Sequence, residues 1–312
     1  MRRVLRGLLL LGLIAVAGLV WTFLPAPLPA PAPSAEALPE AAPPATMSIS
    51  VIYTGSIASR AMLAYRGGDF GDQRSFAMAA ILVRHPRGDL LIDAGFGRDV
   101  DAHVKTMPLI GQALTQYAKG RPAGEQLMEG GVSPSSLKGV LITHAHWDHV
   151  SGLDSLTGVP VWVNAAELGF IRGDSPNAAL MRSFDTVAYH TYGFDDGPYL
   201  GFAHSFDVWD DGSVVVVPAP GHTPGSIIVF LALPSGQRYA LLGDLVWQLE
   251  GITLPAERPW LPRWLIQEDT GQVREAITRI AAIHQRHPQL QLVPAHDARA
   301  IAKIPAFPAG AR

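Results

Sequence analysis

The run Leu141-Ile142-Thr143-His144-Ala145-His146-Trp147-Asp148-His149 crowds four potential metal ligands into the six residues 144–149. Apolar and β-branched residues lead into it as in a strand, and Val150-Ser151-Gly152 follows, where the chain must turn. On an extended backbone side chains repeat every two residues, so His144 and His146 project to one side. Asp148 and His149 come after the turn and can serve a second position nearby. Imidazoles and carboxylates together suit zinc and other borderline divalent ions. Four such groups would be costly to bury without a metal, which separates this cluster from ordinary structural histidines.

Working outward, three more segments end apolar strands with a ligand type. Pro220-Gly221-His222-Thr223-Pro224-Gly225 presents one histidine on a tight turn, Leu241-Leu242-Gly243-Asp244 ends in a carboxylate, and Val293-Pro294-Ala295-His296-Asp297 supplies another histidine. Sites of α/β sheets gather where strands run out. The other six of the eleven histidines (85, 103, 190, 204, 284, 287) lie outside such motifs and read as structural.

Short β-branched runs punctuated by Gly and Pro predict strands at Ile49–Tyr53, Ala77–Val83, Leu90–Ile92, Gly139–Thr143, Val159–Val163, Ser213–Val217, Ser226–Leu231, Tyr239–Leu242 and Gln291–Val293. Helices are expected at Val100–Lys119, Ala165–Ile171 and Gly271–Arg286. Helices fall between groups of strands, so the fold class is α/β, a layered domain over residues 48–312.

With these motifs in this order, the sequence resembles the metallo-β-lactamase superfamily over most of residues 48–300. The resemblance implies an αββα sandwich and two metal ions per chain, zinc first, with manganese or cobalt as alternatives. It implies that His144, His146 and His222 hold one ion and that Asp148, His149 and His296 hold the other. Asp244 would bridge them opposite a hydroxide, with Asp148 and Asp244 as the catalytic carboxylates. Asp93, in Leu91-Ile92-Asp93-Ala94-Gly95, would fix a ligand histidine by its other ring nitrogen. Seven ligands on two ions leave open positions, the mark of a catalytic site. Bound zinc brings the pKa of its water to roughly 7.

Within the superfamily the chain is most similar to the lactonase and organophosphate-hydrolase branch. Asp244 argues against a true β-lactamase, and the helical domain of glyoxalase II-type thioesterases is not evident. Trp147 stands where acyl-homoserine lactonases carry phenylalanine, but Trp247 replaces the tyrosine they carry three residues after the bridging aspartate. The expected activity is hydrolysis of a small apolar ester or lactone. The alternatives are a metal-dependent phosphotriesterase and a non-catalytic exported binding domain. Trp147, Trp247 and Phe70 are candidates for the substrate pocket, with Phe76, Phe184, Trp260 and Trp264 behind them. The stretch Thr253–Trp264, with three prolines and two tryptophans, reads as a loop folded over the site.

Composition bounds the rest. Apolar residues make up 48% and charged residues 16%. Residues 1–47 hold three Arg and two Glu, a net +1, so the remainder carries −3 − 1 = −4, and nothing provides the basic face a nucleic acid would need. The absence of cysteine leaves metal binding to His and carboxylates. Arg2, Arg3 and Arg6 precede an uncharged run from Gly7 to Leu24, the pattern of an export signal. Residues 1–24 are therefore a signal peptide or membrane anchor, placing the domain in the periplasm, either free or held to the inner membrane. Residues 25–47, with eight prolines and eight alanines, are expected to form an extended, solvated spacer that holds the catalytic domain clear of the bilayer.

Overall fold

Alternation along the strands divides the core into layers. The computed structural model describes residues 2–29, 32 and 34–312; Met1 of the expected leader and Ala30, Pro31 and Pro33 of the expected spacer lie outside the described residues. The first sheet comprises β1 (Ser48–Arg60), β2 (Gln73–Arg84), β3 (Leu90–Ile92), β4 (Gln116–Lys119), β5 (Gly139–Leu141), β6 (Val161–Asn164) and β7 (Tyr189–Tyr192). Its order is β4-β1-β2-β3-β5-β6-β7. The second comprises β8 (Phe206–Asp207), β9 (Val214–Pro218), β10 (Ile227–Ala232), β11 (Arg238–Leu241) and β12 (Gln291–Val293), in the order β12-β11-β10-β9-β8.

Odd-numbered residues of β10 (Ile227, Val229, Leu231) face Ile49, Val51, Ile81 and Val83 of the first sheet across one shared apolar layer. Even-numbered Ile228 and Phe230 face outward onto Val273, Ile277 and Ile280 of the Thr270–Arg286 helix. On the far side of the first sheet, Ala80, Leu82 and Val140 pack with Leu127, Leu168 and Ile171 from short helices. This is the αββα arrangement of the metallo-β-lactamase fold.

β3, β5, β6 and β7 run parallel, and so do β11 and β12, so several strand C-termini open at one end. There the Ile227 amide donates to the Thr143 carbonyl at 3.1 Å and joins the two sheets beside the histidine run.

Three expectations require correction. The helix foreseen over Val100–Lys119 is broken into Val100–His103, a short 3₁₀ turn and Leu109–Leu114, and the chain then enters β4. Pro108 causes the break, since it donates no amide and disfavours helix in the residue before it. The stretch read as a loop over the site is a loop only over residues 254–259; its second half enters the helix Trp260–Ile266, with Pro262 tolerated in the first turn. Finally, the described part of residues 25–47 is not a free spacer. Leu28 and Leu38 pack on the outer apolar layer of the second sheet, the Leu28 amide donates to the Pro255 carbonyl at 2.7 Å, and His287 Nε2 donates to the Glu36 carbonyl at 2.7 Å. Proline and alanine leave the backbone carbonyls free, and two leucines give the segment enough apolar surface to adhere. Before it, the Arg3–Trp21 segment is helical, fully exposed, and long and apolar enough to cross a membrane.

Candidate metal centre

The donors of the site follow strand ends, and several are aimed by their own partners. Asp93 comes directly after β3 with φ +56°, a left-handed conformation that Asp adopts more readily than most residues. Its carboxylate accepts the Thr143 amide at 2.6 Å, the Thr143 hydroxyl at 2.8 Å and His149 Nδ1–H at 2.8 Å. The Thr143 hydroxyl lies 3.1 Å from His144 Nδ1 and accepts from it. His296 Nδ1 donates to the Ala77 carbonyl at 3.1 Å. In all three imidazoles Nδ1 is thus occupied, leaving Nε2 as the inward lone pair.

His222 depends on two glycines. Gly221 has φ +130°, and a Cβ there would come 2.7 Å from the Val273 side chain. A Cβ on Gly225 would come 2.2 Å from the Glu167 amide nitrogen. Arg258, buried, places Nη2 3.4 Å from His222 Nδ1, donates to the Asp244 carbonyl at 2.8 Å and pairs with Glu268.

The structure brings all seven expected donors together. Atoms of His144, His146 and His222 lie within 4.8 Å of one another, as do those of His144, His149 and Asp244, and of Asp148, His149 and His296. Asp244 stands between the sets: its carboxylate is 3.4 Å from His222 Nε2, 3.2 Å from His149 Nε2 and 3.0 Å from His296 Nε2. Asp148 Oδ2 is 3.4 Å from His296 Nε2.

The donor set fits divalent cations. His146 Nε2 and Asp244 Oδ1 are buried without a hydrogen-bond partner among the described residues. His144 Nε2 and His222 Nε2 face each other at 3.1 Å although Nδ1 of His144 already carries the proton. Lone pairs converging in this way call for a cation at their centre.

Burial and charge divide the site. Burial, reinforced by neighbouring histidines, holds His144 and His222 well below the usual histidine pKa. Burial brings His146 down to about 3. Burial opposes the charged form of His149 as well, but Asp244, Asp93 and Asp148 outweigh it and hold its pKa well above normal. His296 is raised in the same way, chiefly through Asp244. Burial pushes the Asp148 carboxyl up.

His146, Asp148, His222, Asp244 and His296 form the floor of a cavity of about 230 Å³ whose walls include Ile57, Leu63, Met78, Leu114, Leu261 and Leu265. Trp147 lines it and stacks on Phe96 at 5.3 Å. Trp247 lines it and meets Phe76 edge-on at 5.8 Å. Its indole N–H donates to Asp244 Oδ2 at 2.8 Å, so Trp247 brings a donor to the carboxylate between the two sets. Phe70 does not line the cavity: it is 67% exposed, with the Arg60 guanidinium over its ring. Phe184 packs against His103 in the core. Trp260 and Trp264 stack on each other at the surface, on a helix whose other residues reach the cavity.

Glu167 was not foreseen. It is buried and accepts the Ala145 amide at 2.6 Å, the Thr223 hydroxyl at 2.7 Å and the Gly225 amide at 3.0 Å, clamping the His144–His146 and His222 loops together. Burial pushes its carboxyl up to about 7 against those three donors. In the sequence Asn164-x-x-Glu167 reads as a helix-capping pair, and Asn164 does cap the Glu167 amide, but the Glu167 side chain turns elsewhere.

The family model described as the metallo-beta-lactamase superfamily matches residues 78–296, from the middle of β2 to the last histidine of the site. The chain belongs to the metallo-β-lactamase superfamily. Among members of this superfamily, it is 29% identical over 243 residues to the "Probable metallo-hydrolase Rv2300c" of Mycobacterium tuberculosis, covering 73% of this chain and 78% of that one. It is 24% identical over 183 residues to the N-acyl homoserine lactonase AttM of Agrobacterium fabrum, covering 54% of this chain and 65% of that protein. A solved quorum-quenching N-acyl homoserine lactone lactonase superposes with a TM-score of 0.63 at 16% identity, over 85% of this chain and 98% of that chain, a likeness of fold.

Proposed function

We propose that this member of the superfamily is an exported hydrolase that uses two divalent metal ions, zinc first, to open an ester or lactone carrying an apolar acyl chain. The observation that supports the reading best is the convergence of seven donors, five of which line the floor of a cavity with apolar walls. His144, His146 and His222 would hold one ion, Asp148, His149 and His296 the other, and Asp244 both. Ions held there supply Lewis acidity and an activated water at neutral pH.

The remaining work falls to the chain. Asp148 has 14% of its side chain exposed, more than Asp244, and lines the cavity, so it is placed to take up and return a proton at the cavity floor. Trp247 steadies Asp244, and Asp93 steadies His149. The leucine, isoleucine and methionine walls exclude water and receive an acyl chain, while no lysine or arginine lines the cavity among the described residues. The relatives named as lactonases support a cyclic ester as the first substrate to try. Long-chain lactones, aryl esters and aryl phosphotriesters, assayed with zinc, manganese and cobalt, test the reading. Lactones or esters should turn over fastest, and turnover confined to phosphotriesters would overturn it.

A further inference from the structure

The helices that wall the cavity each keep one apolar face bare. On Leu109–Leu114, Leu114 lines the cavity while Leu109 is 82% exposed. On Trp260–Ile266, Leu261 and Leu265 line it while Trp264 is 56% exposed. Ile110, Trp260 and Trp264 line a shallow groove that shares Pro108, Pro176 and Leu265 with the cavity and whose other edge is polar, with Arg263 and Glu268. Exposed apolar surface gathered at one place marks a contact with something apolar.

The amino-terminal segment indicates what that is. Arg66, three residues after the cavity-lining Leu63, donates from Nη2 to the Trp21 carbonyl at 2.9 Å and from Nε to the Leu24 carbonyl at 3.2 Å. Its guanidinium lies 4.7 Å from the Trp21 ring, and the Gly67 amide donates to the Phe23 carbonyl at 2.9 Å. Arg66 also pairs with Glu257 at 3.6 Å, and Glu257 pairs at 3.1 Å with Arg263, which lies between the two exposed tryptophans. The end of the apolar helix is therefore tied, through two buried ion pairs, to the rim of the cavity. The helix is long and apolar enough to cross a bilayer, and once it is inserted its tethered end keeps the rim near the surface of that bilayer.

We infer that the face carrying Leu109, Ile110, Trp260 and Trp264 rests on the lipid surface entered by the Arg2–Trp21 helix, and that the cavity receives acyl chains directly from the membrane. The helix is then a retained anchor. Trp260 and Trp264 take the interfacial position that amphipathic aromatics favour. The statement about acyl chains rests on the proposed hydrolase activity, whereas the docking does not.

The chain has no cysteine, so single cysteines can carry nitroxide labels in the full-length protein. Leu109→Cys, Trp264→Cys and, on the exposed turn between β10 and β11, Ser235→Cys would be reconstituted in phosphatidylcholine–phosphatidylglycerol vesicles. Labels at 109 and 264 should collide several-fold more with oxygen than with a water-soluble nickel complex, and the label at 235 the reverse. Nickel access at 109 and 264 equal to that at 235 would overturn docking, as would protection from both reagents, which means that protein covers the face. Lipid-shielded labels in an inactive protein would support docking and discard the hydrolase reading; water-exposed labels in an active enzyme would do the opposite.

Discussion

In the set His144, His146 and His222, burial holds every imidazole towards its neutral form, whereas across Asp244 the carboxylates Asp93, Asp148 and Asp244 draw protons onto His149 and His296. The first set is all imidazole and has its lone pairs ready. The second must release protons before it can bind a cation, because metal competes with protons for the same lone pairs. Two sets so close together can differ in this way because charged neighbours, more than depth, decide which form burial leaves in place. Asp93 is the clearest case, since its hydrogen bond to His149 favours the protonated ring in the free protein and orients the ring for metal in the loaded one.

The most severe way to break the distinction is to remove what the sets share. Asp244→Ala should lower hydrolysis by several orders of magnitude and metal content in both sets, with circular dichroism unchanged. Retention of one tightly held ion at full occupancy would mean that the carboxylate serves a single set. Asp93→Ala should cost less, about 10–100-fold in activity or metal affinity, as partners of ligands usually do. Its loss should fall on the second set, and a loss equal to that of Asp244→Ala would make Asp93 itself a ligand.

These two residues also show what was legible beforehand. The seven donors stood out because strand ends must concentrate costly groups in short motifs, and strands such as Leu90–Ile92 and Gln291–Val293 were bounded correctly by Gly, Pro and β-branched runs. The walls were not legible. Leu109–Leu114 and Trp260–Ile266 are short, carry prolines at or near their starts, and owe their form to packing over the cavity rather than to propensity. Phe70 was misread because an aromatic residue's place in the sequence says nothing about which way its ring turns. The docked strap was missed because proline and alanine composition reports stiffness and is silent on two leucines finding a surface.

Trp247→Phe sharpens the comparison more gently. It keeps the contact with Phe76 and removes the donor to Asp244 Oδ2. Hydrogen bonds to charged groups are worth about 1.5–3 kcal/mol, so kcat should fall roughly 10- to 100-fold with KM little changed. A rise in KM alone would make Trp247 a substrate-binding wall and nothing more.

The smallest effect on turnover belongs to Glu167→Gln, which should be read in stability. Folded Glu167 keeps its proton to about 7, whereas the unfolded side chain loses it near 4.5. The folded state therefore binds more protons in that window, and this contribution to stability declines as pH rises from 4.5 to 7. Relative to the variant, the native chain should lose thermal stability across that range. A constant difference in Tm would show that Glu167 does not titrate there.

The most direct test is a count of metal against pH on full-length protein purified without chelators. Two equivalents of divalent metal per chain are predicted near neutral pH. On acidification from neutral pH the second set should empty first, because its carboxylates hold protons on His149 and His296 above the usual histidine range. Activity should fall with it while one equivalent remains. A single equivalent at every pH, with full activity, would contradict the account.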